Sequence, residues 1–337
     1  MAAGEGGGVG GAAQRLLRRA DDFQRRHPIL AFPVAVIQKF GDDRAGQLAA
    51  LIAYYGFFSL FPLLLLFVTI VSFVVRDDHD LQRRLIDSAL SQFPVVGTQI
   101  GDSVKQLSGS WLALIVGLIG ALWSGLAVVT AAEQAMDDVW DVPRAERPSL
   151  VSRVGRAVGL LAVFGAWLVF STILAGLGSG SGAAALGLRI ASMITLLGLS
   201  TALFAFAYRV LTVAHASWRA VLPGAILAAV AWSVLLLVGG WIVDRQIRNA
   251  SQVYGFFAIV IGLLFWIYLV AQVLLVGAEV NVVRDRRLWP RSFVDKPRSE
   301  PDRRVLAEQA EEERAVREET VDVGFDQRGR GSQGAAR

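Results

Sequence analysis

The chain of 337 residues contains no cysteine, which excludes disulfides, thiol nucleophiles and cysteine-bound metals. Lysine is nearly absent as well: arginine supplies 30 of the 33 basic residues, leaving only Lys39, Lys105 and Lys296. The three histidines, His27, His79 and His215, stand far apart, and none falls in a metal-ligand spacing such as HxxxH. There is no glycine-rich phosphate loop closed by a lysine and no serine-centred GxSxG elbow. The run Gly178-Ser-Gly180-Ser-Gly182 imitates one but reads as a flexible hairpin between apolar segments. These absences leave no catalytic residue, no metal site and no cofactor to expect, and the chain is read as no enzyme. Charge is scarce too. At 18% charged and 54% hydrophobic, there is too little polar surface for a soluble fold of this length.

What the chain has instead is long apolar runs. Leu48 to Val75 holds no charged residue across 28 positions, about 42 Å as a helix against a bilayer core of about 30 Å. A helix apolar on every face belongs in lipid. Five more spans follow: Trp111 to Ala132, Val154 to Leu177, Leu188 to Leu211, Arg219 to Val243 and Tyr254 to Ala278. The fold class is therefore all-α, a polytopic membrane protein with six transmembrane helices and amphipathic surface helices. No internal repeat is visible.

The segments outside the spans divide the chain into a Gly-rich start with a basic amphipathic segment (1–46), the six-helix domain (47–283) and a charged tail (284–337). Gln14 to His27 reads as a basic amphipathic helix attracted to anionic headgroups, with docking on a protein partner as the second reading and nucleic-acid binding a poor third. Ile29 to Ile37 is short and carries Pro33, so it approaches the membrane without crossing it. Two amphipathic helices between Arg76 and Ser110 would rest on the membrane face. In the tail, Arg303 to Thr320 is expected as a solvated charged helix, with the remainder disordered. No cleavable signal peptide is evident. With the N-terminus inside, 26 arginines and lysines fall on inner segments and 7 on outer ones. The positive-inside rule then places both termini in the cytosol and the protein in the bacterial plasma membrane. The same asymmetry accounts for the net charge of +4 without nucleic acid.

Candidate functional residues are the polar groups at membrane depth and the kink. Pro62 removes a backbone donor in mid-span and crowds the carbonyl of Phe58; Ser59, one turn earlier, can satisfy some of the freed backbone. Such kinks line cavities in transporters or simply bend a packing helix. Glu133 and Asp137, followed by Trp140, form an acidic face that continues the second span, with Arg144, Arg147, Arg153 and Arg156 as partners in a salt-bridged loop. Glu279 and Asn281 close the sixth span. Glu279 is either an intramembrane functional carboxylate or the partner of a nearby arginine. Gln272 is expected to bond between helices, and Trp123-Ser124-Gly125 and Gly155xxxGly159 to mark close helix packing.

Taken in order, several of these pieces resemble the YihY/BrkB family of bacterial inner-membrane proteins. They are Asp43-Arg44, Ala53-Tyr54-Tyr55, Ser59-Leu60-Phe61-Pro62, Trp123-Ser124-Gly125 and Asp138-Val139-Trp140. Leu222-Pro223-Gly224, Tyr254-Gly255, Trp266-Ile267-Tyr268-Leu269 and Gly277-Ala278-Glu279-Val280-Asn281 complete the series. The resemblance covers residues 28–285. It implies a six-helix envelope protein, linked in some members to serum resistance or to lipid and envelope homeostasis, with no established catalytic residues. A "ribonuclease BN" label has also been attached to the family, and nothing in this chain supports it. Two functions follow as expectations. One is a non-enzymatic protein of envelope or lipid homeostasis, with membrane lipids and a membrane or envelope protein as partners. The other is a secondary transporter of a small solute or ion.

Overall fold

The computed structural model describes residues 28–74, 80, 111–147, 150–177, 183–212, 216–292 and 299–325. The expected helices in 14–27 and 76–110, all three histidines and most of the Gly/Ser link at 176–182 lie outside them. Among the described residues all regular structure is helical. The elements are α1 (Pro28–Asp42), α2 (Ala45–Val74), α3 (Trp111–Val139), α4 (Leu150–Leu177), α5 (Ala183–Leu211), α6 (Trp218–Arg286) and α7 (Glu300–Glu312), with one 3₁₀ turn at Arg144–Glu146.

The packing is that of a membrane bundle. Small residues are inside: Ala45, Ala49, Ala135, Ala225, Ala228 and Ala278 are all but completely buried. Large ones face out, with Trp123 83% and Leu237 79% exposed. Apolar bulk turned outward costs nothing in lipid, while small inner residues let backbones approach. Five stretches are long and apolar enough to cross a membrane: Ile115–Val139, Ser152–Ser171, Leu186–Leu211, Trp218–Gly239 and Val260–Arg286. α2 supplies a further apolar run, Ala45–Leu60, on a helix of 30 residues.

The fifth and sixth expected spans differ from expectation, for both lie in one element of 69 residues with helical backbone throughout. A straight helix would hold Gly224 and Asn281 roughly 86 Å apart. Their contact is instead a hydrogen bond, Gly224 N–H donating to Asn281 Oδ1 at 2.7 Å. α6 therefore folds back on itself, its return lying between Gly239 and Trp266, where a Cβ on Gly239 would stand 2.2 Å from the indole. Between Trp241 and Tyr254 no glycine or proline interrupts the sequence, so no local breaker ends the helical backbone where a loop was expected.

One end of the bundle gathers the start of α2, the end of α3, the start of α4, the end of α5 and both ends of α6. Lys39 meets Asp141, Arg156 meets Glu133, Tyr208 meets Leu274, and Arg286 meets Asp141. Elements alternating in this way must cross an even number of times, which makes α2 the sixth spanning helix beside the five others. This end, called the polar end below, is where α1 and α7 lie.

α1 is the short apolar approach, helical through Pro33. Ala31, Ala35 and Lys39 bury one stripe while Ile37 on the opposite side is exposed. The chain reverses into α2 through Arg44 in the left-handed region, φ 53°. α3 ends in a Schellman cap: Val142 N–H bonds the Asp137 carbonyl, Asp141 N–H that of Asp138, and Asp141 takes φ 47°. Aspartate tolerates this conformation better than most side chains.

Candidate functional site

Four segments deliver charge into the interior of the polar end. The Lys39 ammonium is fully buried. It bonds the Asp43 carboxylate, the Val139 carbonyl at 3.2 Å and Asp141 Oδ1 at 3.3 Å. Glu279 completes the group from the second arm of α6. It is fully buried too, and neither of its oxygens meets a conventional donor among the described residues. Its carboxyl lies near that of Asp43. Burial alone would lower the Lys39 ammonium, but Asp43, Asp141 and Glu279 together hold it above its ordinary value. Lys39 therefore stays charged, bonded to Asp43 and Asp141 with Glu279 nearby.

Arg286 forms the outer layer. It bonds Asp141 Oδ2 at 2.9 Å, Glu308 Oε2 at 2.7 Å and the Trp140 carbonyl. Glu308 belongs to α7, so the expected solvated tail helix is corrected: it spans Glu300–Glu312 and docks beneath the bundle. Its N-terminus is a capping box, Ser299 accepting from Asp302 N–H while Asp302 accepts from Ser299 N–H. The same Asp302 accepts from Arg291 Nε at 3.0 Å. Arg291 reaches across to Asp42 at 2.7 Å, and Gln309 donates to Asp43 at 3.4 Å. Arg147 holds Glu312 and Asp138, each at 2.8 Å. A charged helix with Val305 and Asp302 buried stays down because its acids find fixed arginines, which composition alone does not reveal.

The second polar group is Glu133, fully buried, with Arg156 Nη1 at 3.4 Å and Arg153 Nε at 3.6 Å. The salt-bridged pairing expected for it thus holds for two of the four arginines, while Arg147 serves Asp138. Glu133 and Asp137 are buried, not a solvated face.

Above the charged groups, between α2, α3, α4, α5 and both arms of α6, lies an apolar cavity of about 350 Å³. Ile52, Gly125, Val129, Leu160, Phe164 and Trp167 are among its walls. Tyr208 marks its boundary with the polar end: its neighbour Ala207 and its acceptor Leu274 line the cavity, and its hydroxyl donates to the Leu274 carbonyl at 2.8 Å.

The six sequence candidates separate accordingly. Ser59 faces the cavity, but its hydroxyl donates to the Gly56 carbonyl at 2.9 Å, not to the Phe58 carbonyl that Pro62 releases. Pro62 packs against α3 beside Gly120 and is not a cavity wall. Glu133 is buried one turn beyond the cavity wall Val129, and Asp137 one turn beyond that. Glu279 and Asn281 are both buried, yet do different things. Glu279 faces Lys39 and Asp43, not an arginine, whereas Asn281 braces the α6 hairpin. Gln272 is corrected as well, for its amide donates to Tyr268 Oη at 2.8 Å, on its own helix. Gly155 and Gly159 have nothing within 4 Å of an added Cβ and mark no close packing, whereas Gly125 approaches Leu161. Sequence reasoning passed over Lys39, Asp43 and Asp141 as a site. The available signal was the rarity of lysine. Among the described residues no group of three His, Cys, Asp or Glu is placed to hold a metal ion.

The cluster carries a pH signature. Burial pushes Asp43 up from 3.8 to about 6, with Lys39 pulling it back and Asp141 adding to the rise. Burial raises Asp141 too, against Lys39 and Arg286, and burial with Asp138 pushes Glu312 to about 7. A carboxyl raised in the fold binds protons that the unfolded chain has released, so its contribution is greatest below the unfolded value and is lost as pH rises through the folded one. Asp302 is lowered: burial opposes the shift, but bonds from Ser299, Arg291 and Ser292 prevail. Its contribution fades only as pH falls below 3.8. Thermal unfolding of the purified protein in detergent will therefore occur at a higher temperature at pH 5 than at pH 7.5. A midpoint rising steadily from pH 5 to pH 7.5 would contradict the assignment.

Comparison with known proteins places this architecture. The model of the family described as virulence factor BrkB matches residues 36–303, and the chain belongs to that family. It is 30% identical over 281 residues to the UPF0761 membrane protein Smlt0865 of Stenotrophomonas maltophilia (strain K279a), covering 79% of this chain and 62% of that protein. A UPF0761 membrane protein of Alkalilimnicola ehrlichii is 30% identical over 260 residues, 74% of this chain and 57% of its own. A Bacillus subtilis (strain 168) protein named as ribonuclease-like, YfkH, is 25% identical over 264 residues, 71% and 90%. The chain thus spans about three-fifths of the first two relatives. No solved structure matches.

Proposed function

We propose that this BrkB-family protein is a non-enzymatic protein of the bacterial plasma membrane that lodges a lipid acyl chain between its helices, in the service of envelope lipid homeostasis. The observation that carries this reading is the apolar cavity of about 350 Å³ between the spanning helices. Its volume lies within the range of small-ligand pockets, about 300–1,000 Å³, and its walls offer a hydrocarbon chain an environment like the bilayer's own. Leu161, packed against Gly125, is shared with a lipid-side groove between α3 and α4 and is the natural point of entry. On this reading the polar end faces the cytosol, as the arginine and lysine asymmetry supports. The partners are membrane lipids and a membrane or envelope protein. Nucleic acid is not among them, and no ribonuclease activity belongs to the chain.

The second reading, transport of a small solute or ion, is favoured by one observation: the buried Asp43–Glu279 pair, a place for an exchangeable proton. Deleting the gene and measuring envelope lipids beside uptake of a solute panel separates the two. The expected result is an altered lipid profile with unchanged uptake, restored by wild type but not by Ala207→Phe, which fills the cavity. Unchanged lipids with a lost proton-dependent flux, restored by wild type but not by Glu279→Gln, would establish transport instead.

A further inference from the structure

The cavity's charged end defines what kind of lipid it would hold. On α4, Arg153, Arg156, Leu160, Phe164 and Trp167 follow one another at helical spacing on a single face. The last three are cavity walls, and Arg156 stands one turn, about 6 Å, beyond Leu160. On α3, Gly125 and Val129 are walls and Glu133 comes one turn after Val129. Two arginines and Glu133 therefore meet one turn beyond the walls of an apolar chamber, with Asp137 buried a further turn along α3. Their pairing is loose, at 3.4 and 3.6 Å. Arg153 Nε and Glu133 Oε2, both shielded from solvent, make no hydrogen bond. A buried guanidinium N–H without an acceptor is destabilising, so the site favours an incoming anionic oxygen.

We infer that Arg153 and Arg156 receive the phosphate of an anionic phospholipid whose acyl chain occupies the apolar cavity. Guanidinium groups suit phosphate because their planar donors match its oxygens, and basic pockets between spanning helices are where anionic headgroups bind. Glu133 orients both arginines and keeps the site from accumulating the charge of two unpaired cations. The inference rests on the acyl-chain reading of the cavity and adds the headgroup.

The test uses native mass spectrometry of the full-length protein in detergent, with phosphatidylglycerol and phosphatidylcholine of matched chains. Phosphatidylglycerol is expected to bind at least ~10-fold more tightly, a difference of about 1.4 kcal/mol. Arg153→Gln with Arg156→Gln should abolish that preference while phosphatidylcholine still binds. Ala207→Phe should lose both lipids. Equal binding of the two lipids by wild type, or a preference kept by the double variant, overturns the headgroup assignment alone. Undiminished lipid binding by Ala207→Phe overturns the cavity reading beneath it. Should the double variant fail to fold, Glu133→Gln serves: freeing both arginines must strengthen phosphatidylglycerol binding, and unchanged or weaker binding counts against the proposal. Inorganic phosphate alone is the last arm. If millimolar phosphate displaces phosphatidylglycerol, the site is one for a free anion, and the lipid assignment falls.

Discussion

Replacing Lys39 by methionine will destabilise the folded protein by about 3–5 kcal/mol, the range for breaking a buried ion group by removing one partner. Methionine preserves the length and packing of the side chain but not the charge. Asp43 and Asp141 would lose the ammonium they contact and Glu279 a nearby positive charge, and Arg286 reaches only Asp141 among them. The carboxyls must then take up protons or draw in water, and either relieves only part of the cost. Denaturant titration in mixed micelles measures the loss. A second substitution, Asp43→Asn, should recover a large share of it, because the orphaned charge is removed along with its partner. Stability within 0.5 kcal/mol of wild type for Lys39→Met, on the order of a surface change, would show that the ammonium does not balance the cluster.

Gly224→Ala is the other large effect. A Cβ at that position would lie 1.9 Å from the Gly277 carbonyl oxygen and 2.6 Å from Asn281 Oδ1. The first obstacle is backbone, so no rotamer relieves it and the arms of α6 must separate. That separation strains or breaks the Gly224–Asn281 bond and disturbs Tyr208, whose hydroxyl would lie 2.1 Å from a Cβ on the facing Gly277. Overpacking costs about 1–3 kcal/mol, and loss of one buried hydrogen bond adds about 0.5–1.5. The variant should unfold about 1.5–4.5 kcal/mol more easily than wild type, by the same sum. Gly155→Ala is its control. With nothing within 4 Å, the added methyl should be neutral or stabilise the helix by up to about 1 kcal/mol. Equal behaviour of the two alanine variants would refute the close approach of the α6 arms.

The contrast between those glycines shows what spacing along a chain reveals. Gly155xxxGly159 has the pattern of a packing motif and faces open space; Pro223-Gly224 lacks the pattern and makes the tightest contact. Gln272 is similar: a polar side chain in a span must bond something, but Tyr268, four residues earlier on the same helix, satisfies it before any neighbour can. Ser59 likewise turns to the Gly56 carbonyl within its own helix. Rules about intramembrane polar groups say that a partner exists, not which one it is.

Apolar length and charge placement settled the membrane class, the six crossings and the candidate polar residues, because a bilayer constrains each segment separately. A span is long enough and uncharged enough, or it is not, whatever its neighbours do. The tertiary structure alone decided that α6 is a folded-back hairpin and that α7 docks beneath the bundle. It alone decided, too, that Lys39, Asp43, Asp141 and Glu279 gather, and that an apolar cavity lies between the helices. These depend on residues distant in sequence, from 57 positions for Gly224 and Asn281 to 266 for Asp43 and Gln309. Burial turns an ordinary lysine into the balancing charge of a cluster, and burial is a property of the assembled helices rather than of any one stretch of sequence.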